Sequence, residues 1–475
     1  MTTDFRRPFT PIARLLGSVL LMLLLGGCDE KPSQLERIQE RGELIVATRY
    51  GETTWQRGAD GPEGIEYDLV TAFAEHLGVT PRFVFPDRFT DTLGLVESGT
   101  VDMAAAGITV TERRKRRVRF GPAYQHVVSQ VVYRRGERRP RRIADLAEGD
   151  LEIIAGSSHE TLLRDRRRRE FPKLEYTAND EVSIDQLLQW VAIGFIDYTI
   201  ADSNQLELTR RRFPELRAAF DLSGKRELAW ALPRGQDASL LDAVRAFFQI
   251  IEADGELNAL IDRYYGHTEK FTYVEIRDFR RAIDDRLPLY IDAFKQASRD
   301  TGFDWRLLAA VGYQESHWRA DAVSPTGVRG LMMLTTAAAK RVGVEDREDP
   351  LQSIAGGARY LGVVRKKIPK RIPEPDRTWL ALAGYNVGFG HLEDARILAQ
   401  RAGANPDRWA DVKRYLPLLA KHKWYSQTRH GKARGWEPVD YVDAVRGHMD
   451  MLYDHYPDTL PIKFVLPLTR IPPAL

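Results

Sequence analysis

The stretch Asp304-Trp305-Arg306-Leu307-Leu308-Ala309-Ala310-Val311-Gly312-Tyr313-Gln314-Glu315 reads as one helix. Asp304 is a good N-cap, because its short carboxylate can accept a free amide of the first turn. Leu308 and Val311 mark an apolar stripe, and the helical period places Glu315 on that same stripe. A carboxylate on an apolar face is costly unless it is paired or protonated. Desolvation raises its pKa, which is what a general acid near neutral pH requires. On the helix alone the alternative stays open that Glu315 bends out to solvent. Helical spacing recurs at 284–297, 335–342, 351–364 and 379–387. The chain after about His267 is therefore predicted to be mainly α.

Upstream the pattern changes. Leu44-Ile45-Val46-Ala47 and Arg82-Phe83-Val84-Phe85 read as short strands, with a helix spacing over 67–77 between them. A second set follows, with strands at 151–155 and 197–201 around a helix at 183–192. Strands alternating with helices imply parallel sheets with crossover connections, here in two α/β lobes. The connector lies near 266–273, and the proline-rich stretch 457–475 is expected to be a loop or extended tail. The 475 residues suggest two to four domains, and 43% hydrophobic with 29% charged residues is ordinary for globular folds. The formal net charge is only +3. Basic runs stand out at Arg113–Arg119 and Arg164–Arg169. They suit an anionic polymer or lipid headgroups, or else a solvated face balanced by acids elsewhere.

Cys28 is the sole cysteine, so no internal disulfide framework exists. Arg6, Arg7 and Arg14 precede a short apolar core at 15–25, and Gly26-Gly27-Cys28 follows. That core is too short to read as a spanning helix. The pattern is similar to a bacterial lipoprotein signal, with Cys28 as the lipidated residue. The alternative is an ordinary signal peptide with an incidental cysteine. Either reading exports the protein, which makes nucleic acid an unfavourable partner. The expected division is a leader at 1–28, a first domain at 29–267 and a second at 268–475.

In the first domain, Gly107-Ile108-Thr109-Val110-Thr111-Glu112-Arg113-Arg114 leads to Val118–Tyr124. Ala155-Gly156-Ser157-Ser158 and Asp197–Asp202 come later. In order and spacing these blocks resemble the family 3 bacterial extracellular solute-binding proteins over about 225 residues. The resemblance implies a two-lobed α/β, periplasmic-binding-protein-like clamp. It implies that Arg114 grips a ligand carboxylate, which suits a planar guanidinium. It also places Asp202 at a ligand amine, with Ser157 and Ser158 as donors. Arg114 could instead belong to a solvated cluster, and Asp202 could merely cap a helix. An amino acid, a peptide or a muropeptide would be the ligand, unless the module serves only as a spacer.

In the second domain, Glu315-Ser316-His317-Trp318 is followed by Ser324-Pro325-Thr326-Gly327 and Gly330-Leu331-Met332-Met333. Gly384-Tyr385-Asn386 comes further on. The ordered set resembles the soluble-type lytic transglycosylases, whose helical fold is lysozyme-like, over about 190 residues. The resemblance implies that Glu315 is the catalytic acid/base and that Ser316 positions it or the substrate. Tyr385, Asn386 and Tyr441 become cleft residues. Met333 stands where the family usually has a sugar-contacting glutamine, and Gly384 where it usually has alanine. His317 and Trp318 could be base and stacking platform, or simply helix-end packing.

The implied substrate is the glycan strand of peptidoglycan, cut without water to leave 1,6-anhydromuramoyl ends. One carboxylate suffices because the muramoyl C6 hydroxyl can replace the second group that ordinary glycosidases use. Two other readings are a lysozyme-type hydrolase and a non-catalytic sensor that grips glycan. No metal or cofactor is expected, since the histidines lack ligand spacing. The membrane address implied is the periplasmic face of the outer membrane, although Asp29 after Cys28 is also compatible with the inner membrane.

Overall fold

The computed structural model describes residues 31–58, 61–268, 271–324 and 327–457. The leader with Cys28 and nearly all of the proline-rich tail lie outside the described residues. Helix α1 (Gln34–Arg41) opens the first domain, closed at its start by a reciprocal Ser33/Glu36 capping box. Strands β1 (Glu43–Ala47), β2 (Thr80–Val84), β3 (Met103–Ala104), β4 (Arg119–Val127) and β10 (Arg226–Leu232) form the lobe-one sheet, in the order β2-β1-β3-β10-β4. Lobe two is built on β5 (Ser129–Arg134), β6 (Glu152–Ile154), β7 (Thr177–Asn179), β8 (Tyr198–Asp202) and β9 (Leu216–Asp221).

The expectation of parallel sheets is only half met. β1 runs parallel to β2 and β3, and β6 to β7. β10 is antiparallel to both β3 and β4, and the β8-β5-β9 sheet is antiparallel throughout. The reason is the crossing between lobes. β4 passes straight into β5, and β9 returns to β10. A chain that leaves and comes back in adjacent strands runs in opposite directions. The two crossings are tied where Leu222 donates to the Ser129 carbonyl (2.7 Å).

Lobe one's core centres on Trp230, Phe73 and Phe248, all fully buried. Helix α2 (Ile65–Leu77) contributes Glu66 to it. That buried carboxyl accepts from Trp230 Nε1 (2.7 Å), the Tyr124 hydroxyl (2.5 Å) and the Gly107 amide (2.8 Å). Lobe two carries α3 (Ser158–Arg169), α4 (Ile184–Ile193) and α5 (Ser203–Arg212), and α6 (Glu256–Tyr265) ends the first domain.

The second domain contains α7 (Tyr273–Asp285), α8 (Ile291–Thr301), α9 (Trp305–Ser316), α10 (Pro350–Lys367), α11 (Asp376–Val387) and α12 (Trp436–His455). The helix expected over 284–297 is in fact two helices separated by a 3₁₀ turn, Leu287–Leu289. Pro288 causes the break, because it lacks the amide an uninterrupted helix needs. Helix α9 carries more than an apolar stripe: residues 306–313 are buried around its whole circumference. It is the central rod of the domain, with α8 and α12 against it. Among the described residues, no helix is long and apolar enough to cross a membrane.

The domains meet at the C-terminal half of α12. Arg446 donates to Asp262 Oδ2 (3.1 Å) and to the Asp262 backbone carbonyl (2.6 Å), and Lys413 pairs with the same carboxylate. One turn beyond Arg446 on the same helix, Asp450 takes His267 (2.6 Å) and Arg211.

Candidate active site and ligand cleft

Glu315 lies in the last turn of α9, on the floor of an open trench of about 1300 Å³. Part of its surface faces the trench, yet the side chain is densely surrounded by protein. Burial pushes its carboxyl up to about 7 even against the opposing pull of a hydrogen bond from the Tyr441 hydroxyl to Oε1 (2.7 Å). Tyr441 is buried on α12, the helix packed against α9, which is why it reaches across.

Two histidines also line the trench, and neither competes as a proton donor at neutral pH. Burial pulls His448 down to about 3. Burial, together with Arg286 and Arg319, lowers His317. Glu315 alone combines trench access with a pKa raised to about neutrality. Asn386 and Arg286 share the lining with it. His448 and Arg286 carry no signal in the sequence, because a lone histidine or arginine marks nothing by itself.

The rest of the motif braces this carboxyl. The Ser316 hydroxyl is buried and donates to the carbonyls of Gly312 (3.1 Å) and Leu331 (2.8 Å). It holds the end of α9 to the Gly-Leu-Met segment and faces away from the trench. The Tyr385 hydroxyl is likewise committed, donating to the Met332 carbonyl (3.0 Å). Trp318 is buried and its indole donates to the Ala309 carbonyl (2.7 Å), so it packs the helix end and offers no sugar platform. His317, Trp318 and Met333 all hold positive φ (54°, 56° and 46°). Gly330 could not be replaced by a larger residue: its φ is +83° and a Cβ would stand 1.7 Å from the Arg347 carbonyl oxygen. The expected turn after Ser324 is closed by Gly327, which donates to the Ser324 carbonyl (3.0 Å); Pro325 and Thr326 lie outside the described residues.

In the first domain the expected ligand residues do converge. Arg114, Ser157, Ser158 and Asp202 line one cavity between the lobes, with Arg49, Phe89 and His159. Arg114 is buried, and it donates to the carbonyl of Thr109 in lobe one (2.9 Å) and of Gly156 in lobe two (3.3 Å). Burial pulls its pKa down to about 10, against the opposing pull of Asp202, so it remains a cation. Ser157 caps α3 by accepting from the Glu160 amide (3.1 Å), and Ser158 bonds Thr109 across the lobes (3.3 Å).

Asp202 is more occupied than expected. His159 Nε2 (3.0 Å) and the Ser129 hydroxyl (3.0 Å) both meet its Oδ1, and a capping box joins it to Gln205. Burial would raise its pKa, but His159 brings it below the ordinary value. His159, next to the Ser-Ser pair in sequence, went unread because a lone histidine signals nothing by itself. The cavity is only about 20 Å³, room for roughly one water. Nothing larger than about a water fits into it in this closed arrangement of the lobes.

Comparison with known proteins finds a separate family match in each half of the chain. Residues 44–267 match bacterial extracellular solute-binding proteins, family 3, and residues 292–407 match the transglycosylase SLT domain. The crystal structure of a mutant ArgBP from T. maritima is similar, with a TM-score of 0.45 and 20% identity, covering 49% of this chain and 99% of that one. The two family matches define a solute-binding-protein-like module followed by a helical transglycosylase domain. Membrane-bound lytic murein transglycosylase F 1 of Alkalilimnicola ehrlichii is 46% identical over 418 residues, 88% of this chain and 85% of that protein. Membrane-bound lytic murein transglycosylase F of Pseudomonas fluorescens is 46% identical over 434 residues, 91% and 89% of the two chains. The chain belongs to the membrane-bound lytic murein transglycosylase F family.

Proposed function

We propose that the protein is a murein-degrading lytic transglycosylase in which Glu315 works alone as acid and then base. The observation that carries this is a trench carboxyl whose pKa is raised to about 7 and which is held by a single tyrosine. In the first step protonated Glu315 gives its proton to the glycosidic oxygen between MurNAc and GlcNAc, and the bond from that oxygen to C1 of MurNAc breaks. The C6 hydroxyl of the same MurNAc then bonds to C1, and its proton passes to the Glu315 carboxylate. The acid is restored, no water is consumed, and a 1,6-anhydromuramoyl end remains. Asn386 contacts the sugar; Ser316, Tyr385 and Met333 shape the floor from behind. Mass spectrometry of digested sacculi tests this directly, since reducing ends in place of anhydro ends would mean hydrolysis.

Tyr441 sets the working pH. Its hydroxyl stabilises the carboxylate, so Tyr441→Phe raises the Glu315 pKa. The alkaline limb of kcat/KM, expected near 7 in the wild type, moves to higher pH. The acid plateau falls roughly tenfold through lost positioning. An unmoved or downward-shifted limb would contradict the role given to Tyr441.

The first domain, taken as 29–267, is read as a receptor for an amino acid, peptide or muropeptide, with Arg114 on the carboxylate and regulation of the second domain, 268–475, as its purpose. Arg114→Gln should weaken that binding about 30-fold or more, as loss of a buried charge partner does. Calorimetry against amino acids and muropeptides reads it, and unchanged affinity for a bound ligand would remove Arg114 from the site. Residues 1–28 are read as a lipoprotein leader, with Cys28 anchoring the protein to the periplasmic face of the outer membrane. Membrane fractionation distinguishes this from the inner-membrane address that Asp29 allows.

A further inference from the structure

We infer that the first domain carries a basic band that seats on an anionic lipid surface, running from the N-terminal tether across both lobes. The inference rests on reading Cys28 as the lipid anchor. The two basic runs, far apart in sequence, meet in space. Arg113 and Arg117 of the first run and Arg164 of the second line one chamber of about 250 Å³ at the mouth between the lobes.

The first run also adjoins the place where the chain enters the fold. Arg234 donates to the Arg116 carbonyl (2.5 Å), and Arg119 Nε donates to the Pro233 carbonyl (3.0 Å). The same 233–239 loop receives the N-terminus: Asp237 accepts from the Gln34 amide (2.6 Å) and Ser239 from the Leu35 amide (3.1 Å). Gln34 is six residues beyond Cys28. Fully extended, that tether spans only about 20 Å. A lipid on Cys28 therefore holds the 233–239 loop, and the arginines around it, within a few Debye lengths of the headgroups.

Arg117 and Arg164 are already paired, with Glu97 and Glu160, so the available cations are others. Arg113, Arg116 and Arg234 are exposed, and among the described residues none pairs with a carboxylate. Across the cleft, Arg167 and Arg168 on α3 are exposed and equally unpaired. A chain whose formal charge is only +3 has thus concentrated cations on the side where its tether emerges. Clustered Lys and Arg beside a membrane anchor bind anionic lipid, in proportion to their number and weakened by salt. The short tether is what favours a lipid surface over an anionic wall polymer.

Cys28 is the only cysteine, so a donor dye on Gln236→Cys labels the 233–239 loop of the lipidated full chain uniquely. The protein is placed on phosphatidylcholine vesicles, or on vesicles also containing phosphatidylglycerol, with an acceptor lipid in each. Flotation reports the anchor, and energy transfer reports the seat. The expected result is flotation with both and about twofold more transfer with phosphatidylglycerol, lost as salt rises from about 50 to about 500 mM. Arg113→Glu, Arg116→Glu and Arg234→Glu together should bring transfer to the neutral-vesicle value. The salt titration of the wild type stands even if that variant folds poorly. Equal transfer on the two vesicles at low salt overturns the band and leaves the anchor intact. Flotation only with phosphatidylglycerol supports the band and overturns the anchor; flotation with neither overturns both. If the triple variant loses sacculus binding while vesicle transfer is unchanged, the band belongs to wall polymer and the proposal falls.

Discussion

Glu315→Gln lowers the release of 1,6-anhydro ends from sacculi by about three orders of magnitude, within the range expected for loss of a general acid/base. The amide has the shape of the acid and can still accept from Tyr441, so binding and folding survive while proton transfer does not. The same change makes the protein more stable above neutral pH. In the folded chain Glu315 keeps its proton up to about pH 7, against 4.5 as the ordinary value. Stability from this group is therefore fully present below 4.5, declines as pH rises towards 7, and stays at its lowest beyond. Glutamine has no proton to lose. The gain above pH 7 is about 2 kcal/mol, allowing for a side chain partly open to solvent. Anhydromuropeptide yields and thermal melts at pH 5 and pH 8 check both halves. Residual activity above about a tenth of wild type would remove Glu315 from the chemistry.

Asp262→Ala should be the most damaging change away from the trench. It leaves Lys413 without its partner and Arg446 with Asp443, 3.6 Å away, as its remaining carboxylate beside the backbone carbonyls of residues 262 and 263, inside a buried contact between the domains. Stripping one member from such a cluster costs about 3 kcal/mol. Burial raises the Asp262 pKa, but Arg446 and Lys413 more than offset it, so the carboxyl titrates below its ordinary 3.8. Its contribution is complete above that value and fades as pH falls below it. Wild type and variant should thus differ clearly in melting at pH 7 and converge in acid. Limited proteolysis in the 266–273 connector should also speed up. Identical melts at pH 7 would show that the contact contributes nothing to holding the domains together.

The sequence made the helical character of the second domain legible, because Leu308, Val311 and Glu315 obey a helical period. The short blocks in a fixed order, through the family they resemble, also group Arg114, Ser157, Ser158 and Asp202, which line one cavity. Direction was harder to read. Nothing local distinguishes a Ser316 that faces a sugar from one that faces the Leu331 carbonyl, since a hydroxyl serves both. Strand orientation was lost for a related reason: the reversal at β10 comes from the chain returning between lobes, which no window of residues contains. His159 and Pro288 are hard to read from the sequence for opposite reasons. The first matters only through a partner 43 positions away. The second was a local signal, masked by apolar residues on both sides.

His317, Trp318 and Met333 hold a backbone shape that suits glycine, at a cost on the order of 1–2 kcal/mol each. All three flank the segments that frame the acid. Glycine in any of these places would relax the chain and soften the frame together. The frame behind the acid therefore holds part of the folding free energy in backbone conformations that are costly to adopt, and a variant relaxed at any one of them should melt higher while holding Glu315 less firmly.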